Sequence, residues 1–284
     1  MIKKFISGKK WFFEDFIPGE PSTSTWGVEI QKEIYSGKSK FQEFFIFDTK
    51  EFDRVWALDG LIQLSTRHEH VYHEMLTHPA LFYHKNPQKV LIIGGGDGGA
   101  LREVVKHPVE EIYLCDIDKK TTDVSKKYFS SVSKGAFNDK RLKVFNEDAL
   151  GFVKNYKNYF DIIIDDLTDP TGPSLALWET AFYKDILRAL KKDGVVSFQT
   201  AYLKEKFAGK SREKIKKVFP YFKIHKAFIE CFPFDEHAFS FGSKTVNFEK
   251  FTLSTIKEKF KKLKLKTKYY SPEIHFASTV FPEY

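Results

Sequence analysis

Cysteine is scarce: Cys115 and Cys231 are the only two in 284 residues. That excludes a disulfide framework. Each lies in an apolar run, so two buried thiols in a reducing cytoplasm are expected. No apolar stretch approaches the roughly 20 residues of a membrane-spanning helix. The opening Met1-Ile2-Lys3-Lys4-Phe5 lacks the apolar core of a secretion signal, so a cytoplasmic protein without a membrane partner is expected. Zinc-finger spacings, RNA-binding aromatic motifs, internal repeats and low-complexity segments are also missing. The formal charge of +8 alone would admit nucleic acid. The lysines, however, gather in amphipathic stretches such as Lys204–Lys217 and Lys257–Lys268, and solvated helix faces account for them. No nucleic-acid partner is expected. What is abundant is phenylalanine, 30 residues, within a hydrophobic content of 42%. That is ample for the aromatic core of one large α/β unit with a small appendage.

The chain divides into residues 1–66 and 67–284. The first part reads as all-β from about residue 11, with short alternating or aromatic runs at Trp26–Ile34, Lys40–Asp48 and Glu51–Leu58. Asp59-Gly60 is a turn signal before Leu61-Ile62-Gln63. A helix over Glu69–His78 follows, and Asn86-Pro87 breaks the chain. Strands and helices then alternate: strands at Val90–Ile93, Glu111–Cys115, Leu142–Phe145, Asp161–Asp165 and Val195–Gln199, helices at Ala100–His107, Thr121–Tyr128, Ala149–Tyr156 and Trp178–Lys191. Phe222–Ile229 and Ala238–Ser243 suit an antiparallel hairpin at the sheet edge. A helix from Thr252 to about Leu263 precedes an extended tail. The alternation predicts an α/β fold with a doubly wound sheet and a small N-terminal β domain.

Such sheets bind ligands beyond the carboxyl ends of their strands. The first strand there enters Gly94-Gly95-Gly96-Asp97-Gly98-Gly99 and then a helix. Glycines let a ligand approach the backbone. A pyrophosphate gains nothing from Asp97 in the middle of its loop, because like charges repel at contact. A ligand amine does. Further acids follow the other strands: Asp116 and Asp118, then Glu147 and Asp148, then Asp165, Asp166 and Asp169. Singly, Asp116, Asp118 and Asp148 read equally well as helix N-caps. Four acidic rims in an otherwise basic chain call for a cation. Asp116 lies twenty positions after Gly96, where a carboxylate accepts from both ribose hydroxyls. Asp148 is placed to accept from an adenine amine. A nucleoside with a cationic tail and no phosphate, such as an adenosylsulfonium, fits these groups. The run Asp166-Leu167-Thr168-Asp169-Pro170-Thr171-Gly172-Pro173 reads as a movable cover.

Several motifs together resemble the polyamine aminopropyltransferases, the spermidine synthase family. They are Gly37-Lys38-Ser39-Lys40 with Phe41-Gln42, Leu58-Asp59-Gly60-Leu61-Ile62-Gln63, Tyr72-His73-Glu74-Met75, and the 94–99 loop with Leu101-Arg102-Glu103-Val104-Val105-Lys106-His107-Pro108. The 166–173 loop and Tyr269-Tyr270-Ser271-Pro272-Glu273-Ile274-His275 complete the set. The resemblance runs almost end to end. It implies a methyltransferase-type Rossmann-like fold behind an N-terminal β-hairpin domain, assembled as a homodimer or homotetramer. It also implies decarboxylated S-adenosylmethionine as co-substrate, with no prosthetic group and no metal. By position, Gln42 would lie near the donor sulfur. His73 and Asp97 would hold its amine, Asp116 the ribose, and Asp148 with Ala149 the adenine. Asp166 would be the catalytic base beside Tyr72 and Gln63. Asp169 and the substrate-aromatic position Phe232 would bind the acceptor.

The departures concern the acceptor. Ala201 stands where the family often has an acid, Phe232 where it has tyrosine, and His237 where it has tryptophan. Glu230, Asp235 or Glu236 could compensate. Putrescine is the expected acceptor, with agmatine or a longer polyamine as the alternative. An amine N-methyltransferase using the intact donor is the main rival of another class. A catalytically idle polyamine-binding scaffold and a NAD dehydrogenase are weaker rivals.

Overall fold

The structure, a computed structural model, describes residues 2–14, 25–168 and 172–281. At the N-terminus, β1 (Ile2–Ile6), β2 (Lys9–Phe13) and β3 (Gly27–Glu29) form a three-stranded antiparallel sheet. β4 (Lys32–Lys38), β5 (Glu43–Asp48), β6 (Arg54–Leu58) and β7 (Leu61–Ser65) form a four-stranded antiparallel meander. Asp59 and Gly60 join β6 to β7 with φ of 49° and 86°, the paired positive angles that a tight hairpin turn requires.

The remaining strands are β8 (Lys89–Gly94), β9 (Glu111–Cys115), β10 (Leu142–Phe145), β11 (Phe160–Asp166), β12 (Leu190–Tyr202), β13 (Tyr221–Ala227) and β14 (His237–Ser243). They form one sheet in the order β10-β9-β8-β11-β12-β14-β13. The first five are parallel, and β14 and β13 close the edge antiparallel. This is the doubly wound architecture that the alternation predicts.

Both faces of β8, β9 and β11 are covered, which explains their apolar runs, whereas the edge strand β10 leaves Val144 exposed. Val90, Ile92, Ile112, Leu114, Ile162 and Ile164 pack on the side of helix Glu69–Tyr83. Leu91, Ile93, Cys115, Ile163 and Val196 pack against the opposite layer, which includes Phe182, Ile186 and Ile215. Cys115 and Cys231 are both free and buried. No helix among the described residues is long and apolar enough to cross a membrane.

The structure corrects several element bounds. A β-hairpin begins at Ile2, before the all-β reading starts. Helix Glu69–Tyr83 does not stop at His78 but passes through Pro79. Almost every residue from His73 to Tyr83 is buried, and that burial outweighs the hydrogen bond lost at proline. The helix expected over Trp178–Lys191 is Thr180–Ala189: Trp178 ends a 3-10 segment, Gly172–Trp178, and Leu190 and Lys191 already belong to β12. The tail is not wholly extended: Ser271 caps helix Pro272–Ala277 by accepting from the Ile274 amide, and proline occupies the first turn, where its missing N–H costs nothing.

Candidate active site

The sheet order reverses between β8 and β11, so these neighbouring strands lead their chains away in opposite directions. A crevice at their carboxyl ends follows. Asp166 ends β11 and lies in register with Gly94, which ends β8. The cavity there is lined by the 94–97 backbone, Gln42, Gln63, Tyr72, Asp97, Asp116, Asp148, Ala149 and Asp166, among others. Eight of the eleven residues assigned from sequence thus converge on one cavity. His73 stands directly behind Asp97, its Nε2 3.3 Å from the Asp97 carboxylate. Phe232 packs edge-on to Tyr72 at 6.4 Å between ring centres. Asp169, the remaining acid of that assignment, lies outside the described residues.

Gly94 permits the convergence. Its φ is +72°, and a Cβ there would stand 2.2 Å from the Asp166 carbonyl oxygen. Gly94→Ala is expected to destabilise the fold by about 2–4 kcal/mol, because neither the backbone angle nor the neighbouring backbone can yield cheaply. Chemical denaturation checks this, and an unchanged midpoint would contradict it.

Each carboxylate has its own surroundings. Asp166 accepts from the Tyr72 hydroxyl at 2.7 Å, and its second oxygen is buried without a hydrogen-bond partner among the described residues. Burial and the nearby Asp97 charge push its pKa to about 7, against the smaller opposing pull of His73 and Tyr72. Asp97 accepts from the Gly99 amide at 2.6 Å and faces His73. Burial alone would raise its pKa, but His73 and that amide overcome it and hold the carboxyl below its usual range. Asp116 accepts from the Asp118 amide at 2.8 Å, and burial above all lifts its pKa to about 6.

The capping alternatives hold for two of the three: Asp118 accepts from Lys120 and Asp148 from Leu150 at their helix N-termini, whereas Asp116 caps no helix. A carboxylate has lone pairs for a cap and a ligand together. Gln42 donates to Thr121 at 2.8 Å and to Asp118 at 3.2 Å, and Ser39 donates to Asp118 at 2.6 Å. These bonds fasten the meander over the sheet, so two sheets share the cavity wall. Ser39 and Thr121 carried no assigned role, since only the fold brings them to Gln42.

The end expected to hold the acceptor is unlike the rest. Glu230 pairs with His68, Asp235 accepts from the Lys204 amide, and Glu236 pairs with Lys226. All three compensating acids are therefore engaged elsewhere. His237 is buried, and burial, together with Arg212, lowers its pKa to about 3, so the ring is neutral. It packs against Tyr72, Phe232 and Phe239.

His73, Asp97 and Asp166 bring ligating atoms within 4.8 Å of one another. The His73 ring nitrogens lie 2.7 Å from Glu69 Oε2 and 3.3 Å from Asp97 Oδ2.

Comparison with known proteins identifies the family. The family model of the spermine/spermidine synthase domain matches residues 69–254, and that of the spermidine synthase tetramerisation domain matches residues 11–66. A polyamine aminopropyltransferase from Thermoanaerobacter sp. (strain X514) is 38% identical over 277 residues, covering 96% of both chains. One from Hydrogenobaculum sp. (strain Y04AAS1) is 40% identical over 270 residues, covering 94% of this chain and 92% of the relative. Among solved structures, a spermidine synthase in complex with the transition-state analogue AdoDATO superposes with a TM-score of 0.89. It is 37% identical, with 96% of this chain and 92% of that chain covered. The spermidine synthase from Thermotoga maritima gives 0.87 at 36% identity, with 96% and 91% covered.

Proposed function

The chain belongs to the spermine/spermidine synthase family, and from that premise we propose that it moves an aminopropyl group from decarboxylated S-adenosylmethionine to putrescine. The products are spermidine and methylthioadenosine. One observation carries this reading: the carboxylates of Asp97, Asp116 and Asp166 surround a single glycine-lined cavity at the switch point. The donor is a dication, sulfonium plus ammonium, without a carboxylate. An anionic floor attracts it and repels the carboxyl-bearing parent compound.

In this reading residues 67–284 form the catalytic domain and residues 1–66 lend Gln42 and Gln63 to its wall. Asp97 binds the donor ammonium, Asp116 the ribose diol, and Asp148 with Ala149 the adenine. Gln42 lies near the sulfur. Gln63, Asp169 and Phe232 receive the acceptor. The match of residues 11–66 to a tetramerisation domain supports a homo-oligomer, dimer or tetramer.

The acceptor arrives as an ammonium. Such an amine titrates near 10.4, so removing its proton at pH 7 costs roughly 4–5 kcal/mol. Asp166, oriented by Tyr72, takes that proton. The freed nitrogen lone pair attacks the carbon next to sulfur. The C–S bond breaks and its electrons return to sulfur, leaving a neutral thioether. In-line alignment supplies much of the remaining acceleration.

The base must be deprotonated, and Asp166 titrates near 7. kcat/KM for the acceptor should therefore rise about tenfold per unit below pH 7, level off above it, and fall only where the amine itself loses its proton. A profile flat between pH 5 and 8 would remove Asp166 from this role.

The acceptor end favours a second reading. A neutral His237 among aromatic rings suits a flat guanidinium stacked on a π face better than a point ammonium, which supports agmatine. The deciding assay is methylthioadenosine release from the decarboxylated donor with a panel of putrescine, agmatine, cadaverine and spermidine. The same panel run with intact S-adenosylmethionine, read by release of S-adenosylhomocysteine, covers methyl transfer. Release with none of the amines would reject the assignment.

A further inference from the structure

We infer that Glu69 and Arg102 are positioning residues for the donor arm, holding His73 as a doubly donating imidazolium whose Nε2–H fixes the Asp97 carboxylate. This inference rests on the donor assignment above and changes one part of it: His73 holds Asp97 rather than the ligand amine.

The argument begins with the acceptors around the ring. Glu69 Oε2 lies 2.7 Å from His73 Nδ1, and Asp97 Oδ2 lies 3.3 Å from Nε2. A carboxylate oxygen cannot donate, so both ring nitrogens carry protons and the ring is cationic. An imidazolium has no lone pair left for a ligand ammonium. Asp97 keeps lone pairs beyond those used by Gly99 and His73, and these receive the amine.

Glu69 is itself held from behind. Arg102 forks onto it, with one nitrogen 2.7 Å from Oε1 and the other 2.9 Å from Oε2. The same guanidinium donates to the Val132 carbonyl at 2.6 Å and to Glu103 at 2.5 Å. Glu103 also faces Lys106 and His78. Glu69, His73, Arg102 and Glu103 are all at least nine-tenths buried. Three carboxylates, those of Asp97, Glu69 and Glu103, thus alternate with three cations, His73, Arg102 and Lys106. A neutral His73 would leave a buried charge uncompensated, which costs several kcal/mol. The charged groups facing the ring are Glu69 from its own helix, Asp97 from the glycine loop and Asp166 from β11. Arg102 acts through Glu69. Burial alone would lower the His73 pKa, and the two carboxylates overcome it and hold it well above its ordinary value.

Gly99 seats the ring. A Cβ there would stand 2.3 Å from a His73 ring carbon, so the imidazole lies flush against the backbone.

The chain of charges separates the roles of two neighbouring carboxylates. With His73 cationic, Asp97 stays ionised as the amine's anchor, and the repulsion between the pair falls on Asp166, which becomes the group poised to take a proton. Acid–base roles follow from environments that drive two titrations apart.

The test begins with the free wild-type protein. Long-range proton–nitrogen spectra of its histidine rings at pH 8 should show His73 with both nitrogens protonated. In Glu69→Gln, the same ring should carry one proton at that pH. The donor KM of the variant should increase about tenfold as pH rises from 7 to 9, where the wild type stays flat, and kcat should change less. Glu69→Asp should recover most of the wild-type profile. A singly protonated His73 in the wild type, or a folded Glu69→Gln enzyme with the wild-type profile, overturns the inference. The wild-type spectrum needs no substrate. Failure of every amine in the panel would therefore reject the proposed function without altering this result.

Discussion

Asp166→Asn is expected to lower kcat by about 10²- to 10⁴-fold, the span of a positioned general base, while the affinity for the decarboxylated donor stays nearly unchanged. The amide still accepts from the Tyr72 hydroxyl, so the cavity keeps its shape, but it takes no proton from the acceptor. The same substitution should stabilise the free protein at pH 8. Folded Asp166 titrates near 7, above the ordinary value of about 3.9 that it has in the unfolded chain. Between those values the native state binds the extra proton, so its stability falls as pH rises through that window. Above pH 7 the folded state holds a buried carboxylate with one oxygen lacking a partner among the described residues. Removing it should add about 1–2 kcal/mol at pH 8, within the range of stabilising changes at strained functional sites, and little at pH 4. Single-turnover kinetics and paired thermal melts at the two pH values check this. Full turnover in the variant would sink the assignment of the base.

The second large effect is at Asp97. Asp97→Asn should reduce kcat/KM for the decarboxylated donor by about 10²- to 10³-fold. A unit charge pair at about 4 Å is worth on the order of 4 kcal/mol at an effective dielectric of 20, before solvation offsets part of it. Discrimination against the intact, carboxyl-bearing donor should shrink by a comparable factor, because the repulsive element is gone. Calorimetric titration of both donors measures the ratio. A variant that still prefers the decarboxylated compound by the wild-type margin would show that selection lies elsewhere. Gln42 and Asp116 should keep their hydrogen bonds, since their partners Thr121 and the Asp118 amide lie on other elements.

The sheet was legible because parallel strands buried on both faces appear as plain apolar runs, as Val90–Ile93 does. The acids were legible for a related reason: strand ends are marked by the break from apolar to glycine or aspartate, and the fold turns those ends toward one crevice. The hairpin of Ile2–Phe13 was not, since lysines interrupt its alternation and its turn, Ser7-Gly8, lies too near the chain end to stand out. Pro79 obscured the length of its helix, because local preference yields to burial and only the packed layers reveal that burial. The helix after Ser271 carried its own signal in Ser-Pro-Glu. At the site, Glu69 and His73 have the one-turn spacing of a helical pair. Their joint role depends on Arg102, which reaches them from another helix, and no local pattern connects the two. The same holds for Ser39 and Thr121 around Gln42.

The close seating of Gly94 on Asp166 constrains how the protein can diverge. In the proposed reading, anchor loop and base are yoked through adjoining backbone, so neither can drift without dragging the other. Exchange is easier at Phe232 and His237, the rings packed on Tyr72, where side chains can change while that backbone stays put. A lineage working as proposed could acquire new amine partners yet remain committed to one alkyl donor.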